Sequence, residues 1–312
     1  MKKSFFTLFF LIAGSSVFAQ LPELRPEVVE LHRLQQTAIR SNSPADFEAF
    51  FRHSLFSERY WGRWFVNYAQ ALFQNNDLKN AEKYFLKATE IGRLNTVTFS
   101  RWFNMIIRRP NEPDRYSIPR TETNLIFFNT VLAKIETIEQ NKTPDPRVIA
   151  IGEELREMVK RDQDVRRNSG DIRSVDSVNI FRLIELIKEN PDIDVLNVNI
   201  PGHEGFGTML LLMHGLVAWE SAWTDFFEPF FRRQAEEGRG FTYCFYFDRY
   251  RVLVRGEPSF YGEFTRSAGL MRSDFTTREV NIEEINRNRE RVGLLPLFPD
   301  TSPEQPMIRF TF

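Results

Sequence analysis

Apolar positions recur at helical spacing along most of the chain. Residues 25–40 carry Val28, Leu31, Leu34 and Ile39 near the helical period. A second helix opens at Ser43-Pro44: serine suits the N-cap, proline presets the first turn, and Asp46 meets the positive helix end. Phe47, Phe50, Phe51 and Leu55 then fall on one face. Trp64, Phe65, Tyr68, Ala69 and Leu72 make the next apolar face. Asn75-Asn76-Asp77 breaks it, and Ala81, Phe85 and Ala88 resume it at spacings of four and three.

The small residues Ala69, Ala81 and Ala88 let two antiparallel helices approach, with Phe65 and Phe85 filling the space between them. Over residues 60–93 this pattern resembles one tetratricopeptide-type helical hairpin, departing from it at Arg93, where that repeat has proline. The sequence shows no second copy. A single hairpin leaves a face uncovered, so it is expected to pack on segments 43–56 and 96–107.

Residues 109–120 contain Pro110, Pro113 and Pro119 and read as a loop. A helix follows over 122–141, with Leu125, Phe128, Leu132, Ile135 and Ile138. Thr143-Pro144-Asp145-Pro146 stops it and marks the boundary between a first part, 20–143, and a second, 147–300. Pro146 starts the next helix, running to about residue 164, and residues 176–188 make another, which Asn190-Pro191 ends. Residues 192–207 read as a loop. Residues 208–234 predict one long apolar helix or a kinked pair, with the kink at Pro229 and Gly238 and Gly240 closing it. The period then changes. Tyr250-Arg251-Val252-Leu253-Val254, the turn Gly256-Glu257-Pro258 and the residues from Phe260 predict a small β-hairpin. Residues 281–292 form a short charged helix, and a tail covers 301–312. The expected fold is mainly α: a helical, repeat-like N-terminal part beside a helical C-terminal domain with a small β-hairpin.

Composition adds a compartment. Lys2 and Lys3, the apolar run from Phe5 to Ala13 and Val17-Phe18-Ala19 before Gln20 make residues 1–19 a signal peptide. The chain has one cysteine, Cys244, so no lipid-anchor cysteine follows that run. An exported protein, periplasmic or secreted, is expected, with no integral membrane segment after cleavage. Cys244 lies among Phe241, Tyr243, Phe245 and Phe247, where burial makes it a structural thiol. The 31 phenylalanines among 312 residues predict an aromatic-rich core. With 41 basic and 42 acidic residues there is no electrostatic footprint for nucleic acid.

The mature chain has no Gly-x-Ser-x-Gly elbow, phosphate loop or His-Glu-x-x-His motif. Gly202-His203-Glu204-Gly205-Phe206-Gly207 does not follow a clear strand and is not read as a dinucleotide loop. His203, Glu204 and His214 lack the short paired spacings that zinc sites use, so no metal and no cofactor are expected.

The candidate chemistry lies in scattered polar residues of the second half. Asp162 and Arg166 share a helix face with Gln163 beside them. His214 sits on a very apolar helix, where it must find a partner or stay neutral. Asp248-Arg249 precedes the predicted hairpin, and the Tyr261 hydroxyl is placed to reach back. One reading is a pocket. His214 is general base or acid, Asp162 or Asp248 orients it, Tyr261 assists, and Gln163, Arg166 and Arg249 hold an anionic ligand. The other is a buried polar network that fixes helix docking.

In order and spacing these residues resemble the bacterial domain of unknown function 6624 family over residues 153–297. The shared elements are Asp162-Gln163-x-x-Arg166, Asn179, His214, Asp248-Arg249, Gly256, Tyr261-Gly262 and Arg289-x-x-x-Gly293-Leu294 with Pro296-Leu297. The chain departs from the family at Met213 and Ser259, where the family has Gln, and at Glu263-Phe264, where it has Thr-Gln. The resemblance implies a polar site short of three amide groups and carries no activity with it. Three functions follow as expectations. The first is a non-enzymatic protein-interaction module of the cell envelope, meeting a protein partner through its helical N-terminal part. The second is a hydrolase-like enzyme using His214 with Asp248 or Asp162. The third is a protein binding small anionic ligands.

Overall fold

In the first half, turn chemistry delimits the helices. Helices α1 (Pro26–Ser41) and α2 (Pro44–Phe51) each open on a proline, and between them Asn42 takes φ 52° while its amide reaches the Ala38 carbonyl. A short α3 (Glu58–Trp61) precedes α4 (Trp64–Gln74) and α5 (Leu78–Glu90). The turn between α4 and α5 uses Asn76 at φ 62°, and the Asp77 side chain caps α5 by accepting from the Asn80 amide. Helices α6 (Thr96–Ile106) and α7 (Glu122–Asn141), the latter capped by Thr121, complete this half. The computed structural model describes residues 24–106, 120–143, 145–198, 200, 207–239, 242–263 and 282–297.

The core of this half is aromatic. Ala69, Ala81 and Ala88 are fully buried where α4 meets α5. Phe85 packs edge-on to Phe99 at 5.0 Å and against Trp102 at 4.9 Å, tying the pair to α6, while Phe73 stacks on Phe127 of α7 at 4.8 Å. Burying each such ring contributes about 2–3 kcal/mol.

The second half begins with α8 (Pro146–Arg167), capped by Asp145, and α9 (Ile172–Glu189), capped by Asp171. A single 3-10 turn covers Val195–Asn197. Then come α10 (Gly207–Ala218), the short α11 (Glu220–Ala222), a π-turn (Trp223–Phe227), α12 (Glu228–Glu236), α13 (Thr242–Leu253) and α14 (Ile282–Arg291). Their core joins Leu155, Ile180, Leu183, Leu212, Trp223, Phe231 and Tyr246. Helices α9 and α10 cross closely at Gly215, where a Cβ would stand 2.5 Å from that of Ile180.

One expectation is corrected here. The β-hairpin is not seen: among the described residues the chain is mainly helical and holds no strand, and Tyr250–Leu253 is the last turn of α13. Tyr246 and Phe247 are buried together on one side of that helix, with Tyr246 stacked on Phe231 at 5.1 Å, and this packing selects a helix for an aromatic run that suits either structure. Past the helix, Gly256 at φ 64° turns the chain back. The stretch 208–234 is not one continuous α-helix. It breaks at Trp219, and Pro229 lies at the start of α12. Proline has no amide and crowds the carbonyl four residues earlier, and the preceding turn widens into the π-turn that accommodates it.

Helix α1 joins the halves. Gly293, at φ 77°, lies so close to the Val29 carbonyl that a Cβ would stand 2.2 Å from it. The His32 Nδ1 donates to the Val292 carbonyl at 3.0 Å, and the Trp61 indole donates to the Gly238 carbonyl at 2.7 Å. No helix among the described residues is long and apolar enough to cross a membrane. The signal peptide, the tail, His203 and Glu204 lie outside the described residues, as do residues 109–119 of the predicted loop.

Candidate functional site

Three helices meet at one polar cluster. Along α8 the buried stripe Ile151, Leu155, Met158, Val159 runs on into Asp162, so the first charged position of that stripe is carried inside. On α9 the buried stripe Ile180 and Leu183 begins with Asp176 and Asn179. Helix α10 brings His214 against both.

The geometry is dense in charge. The Asp162 side chain is 1% exposed. Its Oδ1 accepts from Arg166 Nη1 at 2.8 Å and from His214 Nδ1 at 2.9 Å. Its Oδ2 accepts from Gln163 Nε2 at 2.7 Å and lies 3.1 Å from His214 Nδ1. Arg166 turns its other arm to Asp176, with Nη2 2.8 and 3.0 Å from the two oxygens. One guanidinium thus ties two buried carboxylates together. Asn179 braces the cluster by donating to the Met158 carbonyl at 3.2 Å.

Burial alone raises the Asp162 carboxyl. The hydrogen bond and charge of His214, with Gln163 and Arg166, outweigh it and hold Asp162 below the usual carboxylate value. Asp176 moves the other way, because there burial outweighs Arg166. An ionised Asp162 makes Nδ1 the donor of the neutral imidazole. Nε2 then carries the lone pair, and it has no hydrogen-bond partner among the described residues. The His214 side chain is 24% exposed, so solvent reaches part of it. Asp162, Asp176 and His214 also place one ligand atom each within 4.8 Å of the others. Metal does not fit this set, because a cation there would have to displace the guanidinium that both carboxylates bind.

The chain matches no family model, no curated protein and no solved structure.

The remaining candidates form a second cluster with a different character. Asp248 is 0% exposed and accepts from Ser259 Oγ at 2.6 Å and from the amides of Phe260 (2.6 Å), Tyr261 (2.9 Å) and Glu263 (2.9 Å). Burial pushes its carboxyl up against these donors. The fully buried Arg289 donates to the Tyr261 carbonyl at 2.6 Å, to the Leu295 carbonyl at 2.6 Å and to Glu263 Oε1 at 2.7 Å. The Tyr261 hydroxyl is buried without a hydrogen-bond partner among the described residues, and burial drives its pKa upward. Arg249 touches the first cluster from behind, donating to the Met213 carbonyl at 2.8 Å, one residue before His214. Cys244 is buried, and burial raises its thiol well above the usual range, so it supplies no thiolate.

Asp162, Gln163, Arg166 and His214 therefore converge, whereas Asp248, Arg249 and Tyr261 lock the 259–263 turn and the back of α10. His214 is partnered by Asp162 and not by Asp248. Sequence reasoning missed Asp176. Its signal was an acid in register with the buried positions Ile180 and Leu183, where an unpaired charge would be costly.

Proposed function

We propose that this exported chain is a hydrolase-like enzyme in which His214 is the general base and Asp162 orients it. The reading rests on a single observation: a buried carboxylate holds the partly exposed His214 through Nδ1, which leaves the Nε2 lone pair without a partner among the described residues. That is the arrangement a proton-abstracting histidine needs. Water is the nucleophile in this reading, since Cys244 is sealed in the core. Arg166 spends both arms on Asp162 and Asp176, which weakens the anion-binding alternative. Membership of the domain of unknown function 6624 family belongs to the same proposal. It is supported by the meeting of Asp162, Gln163, Arg166, Asn179 and His214, all drawn from the elements that carry the resemblance.

The test is hydrolysis of p-nitrophenyl esters, phosphomonoesters, phosphodiesters and glycosides by the full chain. One class should turn over, with kcat/KM reduced at least about 100-fold in His214→Gln and about 10-fold or more in Asp162→Asn. Equal rates for the parent and His214→Gln on every class would sink the reading.

The interaction-module reading keeps one supporting observation, the α4–α5 pair with its buried alanines, which is compatible with a tetratricopeptide-type hairpin. A photo-crosslinker at exposed Val97 or Ile126 should then give a discrete protein adduct in an envelope extract. No adduct at either position would remove that reading.

A further inference from the structure

Three arginines gather where the α3–α4 junction of the first half meets residues 192–194 of the second, sharing no residue with the His214 cluster. The backbone stays helical through Gly62 and Arg63, so Arg59 and Arg63 stand one turn apart on one face. Arg59 Nη2 donates to the Asp192 carbonyl at 3.0 Å. Arg93, in the turn after α5, donates from Nη2 to the Arg59 carbonyl at 2.9 Å and stands 3.7 Å from Asp194. The Asp192 carboxylate turns away to Arg147 at 2.9 Å. Arg63 makes no hydrogen bond or ion pair among the described residues. Its guanidinium lies over the Trp64 ring, with Cζ 5.2 Å from the centroid.

The surroundings of Arg63 are those of a recess. Burial lowers its pKa, the neighbouring Arg93 charge lowers it further, and Asp194 opposes both. Yet the Arg63 residue is solvent-exposed. A guanidinium enclosed by protein and still open to water lines a cleft. Two cations, Arg63 and Arg93, face one carboxylate, Asp194, which leaves one positive charge over. Stacking on Trp64 occupies the face of the Arg63 guanidinium and leaves its edge of N–H donors unfilled.

We propose that this cleft binds a phosphate group, with Arg63 presenting its fork and Arg93 a second edge. A carboxylate has two oxygens, and one fork fills both. A phosphate group has at least three free oxygens when it is inorganic or a monoester, so it takes the Arg63 fork and still accepts from Arg93. The contacts of Arg93 named above use Nη2 alone, which leaves Nε and Nη1 for the ligand.

The test is calorimetric titration of the full chain at fixed ionic strength with inorganic phosphate, glycerol 3-phosphate and acetate. One of the two phosphates should saturate the chain below about 5 mM, acetate should not, and the binding phosphate should raise the thermal midpoint. The tighter of the two says whether the group arrives as the free ion or on a larger molecule. Arg63→Gln should weaken binding at least about tenfold, the loss of a charge-assisted fork, and should abolish the rise in midpoint. Arg63→Lys, which keeps the charge without the fork, should fall between the two. A packing role for Arg63 on Trp64 predicts a lower midpoint for Arg63→Gln and no response to phosphate in any chain. No saturable binding of either phosphate, acetate bound as tightly, or parent-like affinity in Arg63→Gln overturns the proposal. If Arg63→Gln fails to fold, parent-like affinity in Arg63→Lys refutes it and a weakened one supports it. The site is independent of His214, so neither outcome bears on the hydrolase test.

Discussion

Acid should loosen the joint between the two halves through His32. This imidazole is fully buried, donates from Nδ1 to the Val292 carbonyl, and meets the edge of Trp61 at 6.0 Å. Burial lowers its pKa from 6.5 to about 4, and the Val292 hydrogen bond offsets this only in part. The folded form therefore binds its proton later than the unfolded chain as pH falls. Between the two values the unfolded state holds more protons, so folding stability rises with pH and is lost on acidification through that window. Carried from about pH 7 to pH 5, the difference is about 2 kcal/mol. The buried carboxylates respond elsewhere or oppositely. Asp162, held low, loses its contribution only below the ordinary carboxylate value, and Asp176 and Asp248, raised, oppose acid unfolding. Urea unfolding followed by tryptophan fluorescence, compared between the parent and His32→Gln, isolates the histidine, since glutamine can donate to Val292 without titrating. The parent should lose about 2 kcal/mol more than His32→Gln over that interval. Parallel losses, within about 0.5 kcal/mol, would refute the assignment of the burial effect to His32.

Further outcomes follow from the two clusters. Asp248→Ala strips four donors in the 259–263 turn of their acceptor and should cost about 3 kcal/mol by thermal unfolding, while the His214 nitrogen-15 NMR signature stays as in the parent. Gly215→Ala forces a Cβ to within 2.5 Å of Ile180, so it should destabilise by about 2 kcal/mol in the same assay. It should also weaken the His214–Asp162 bond, seen as a lower Nδ1–H fraction.

Most of the helical architecture is written locally. Proline at the first turns of α1, α2 and α8, an aspartate capping α5, and an apolar stripe along α7 are properties of short segments, readable because capping and periodicity act over one or two turns. The Asp162–Arg166 pair on one helix face was legible for the same reason. Tertiary structure decided the rest. An aromatic run such as 241–254 has no periodicity that separates strand from helix, and packing of Tyr246 on Phe231 selected the helix. The partner of His214 was one of two acids, 52 residues before it or 34 after, and only the crossing of α8 with α10 chose Asp162. Asp176 acquires its meaning from Arg166, which no spacing in the chain reveals. Ion pairs across helices depend on which faces are pressed together, and that follows from how a whole core is buried, not from the residues on either side of each charge.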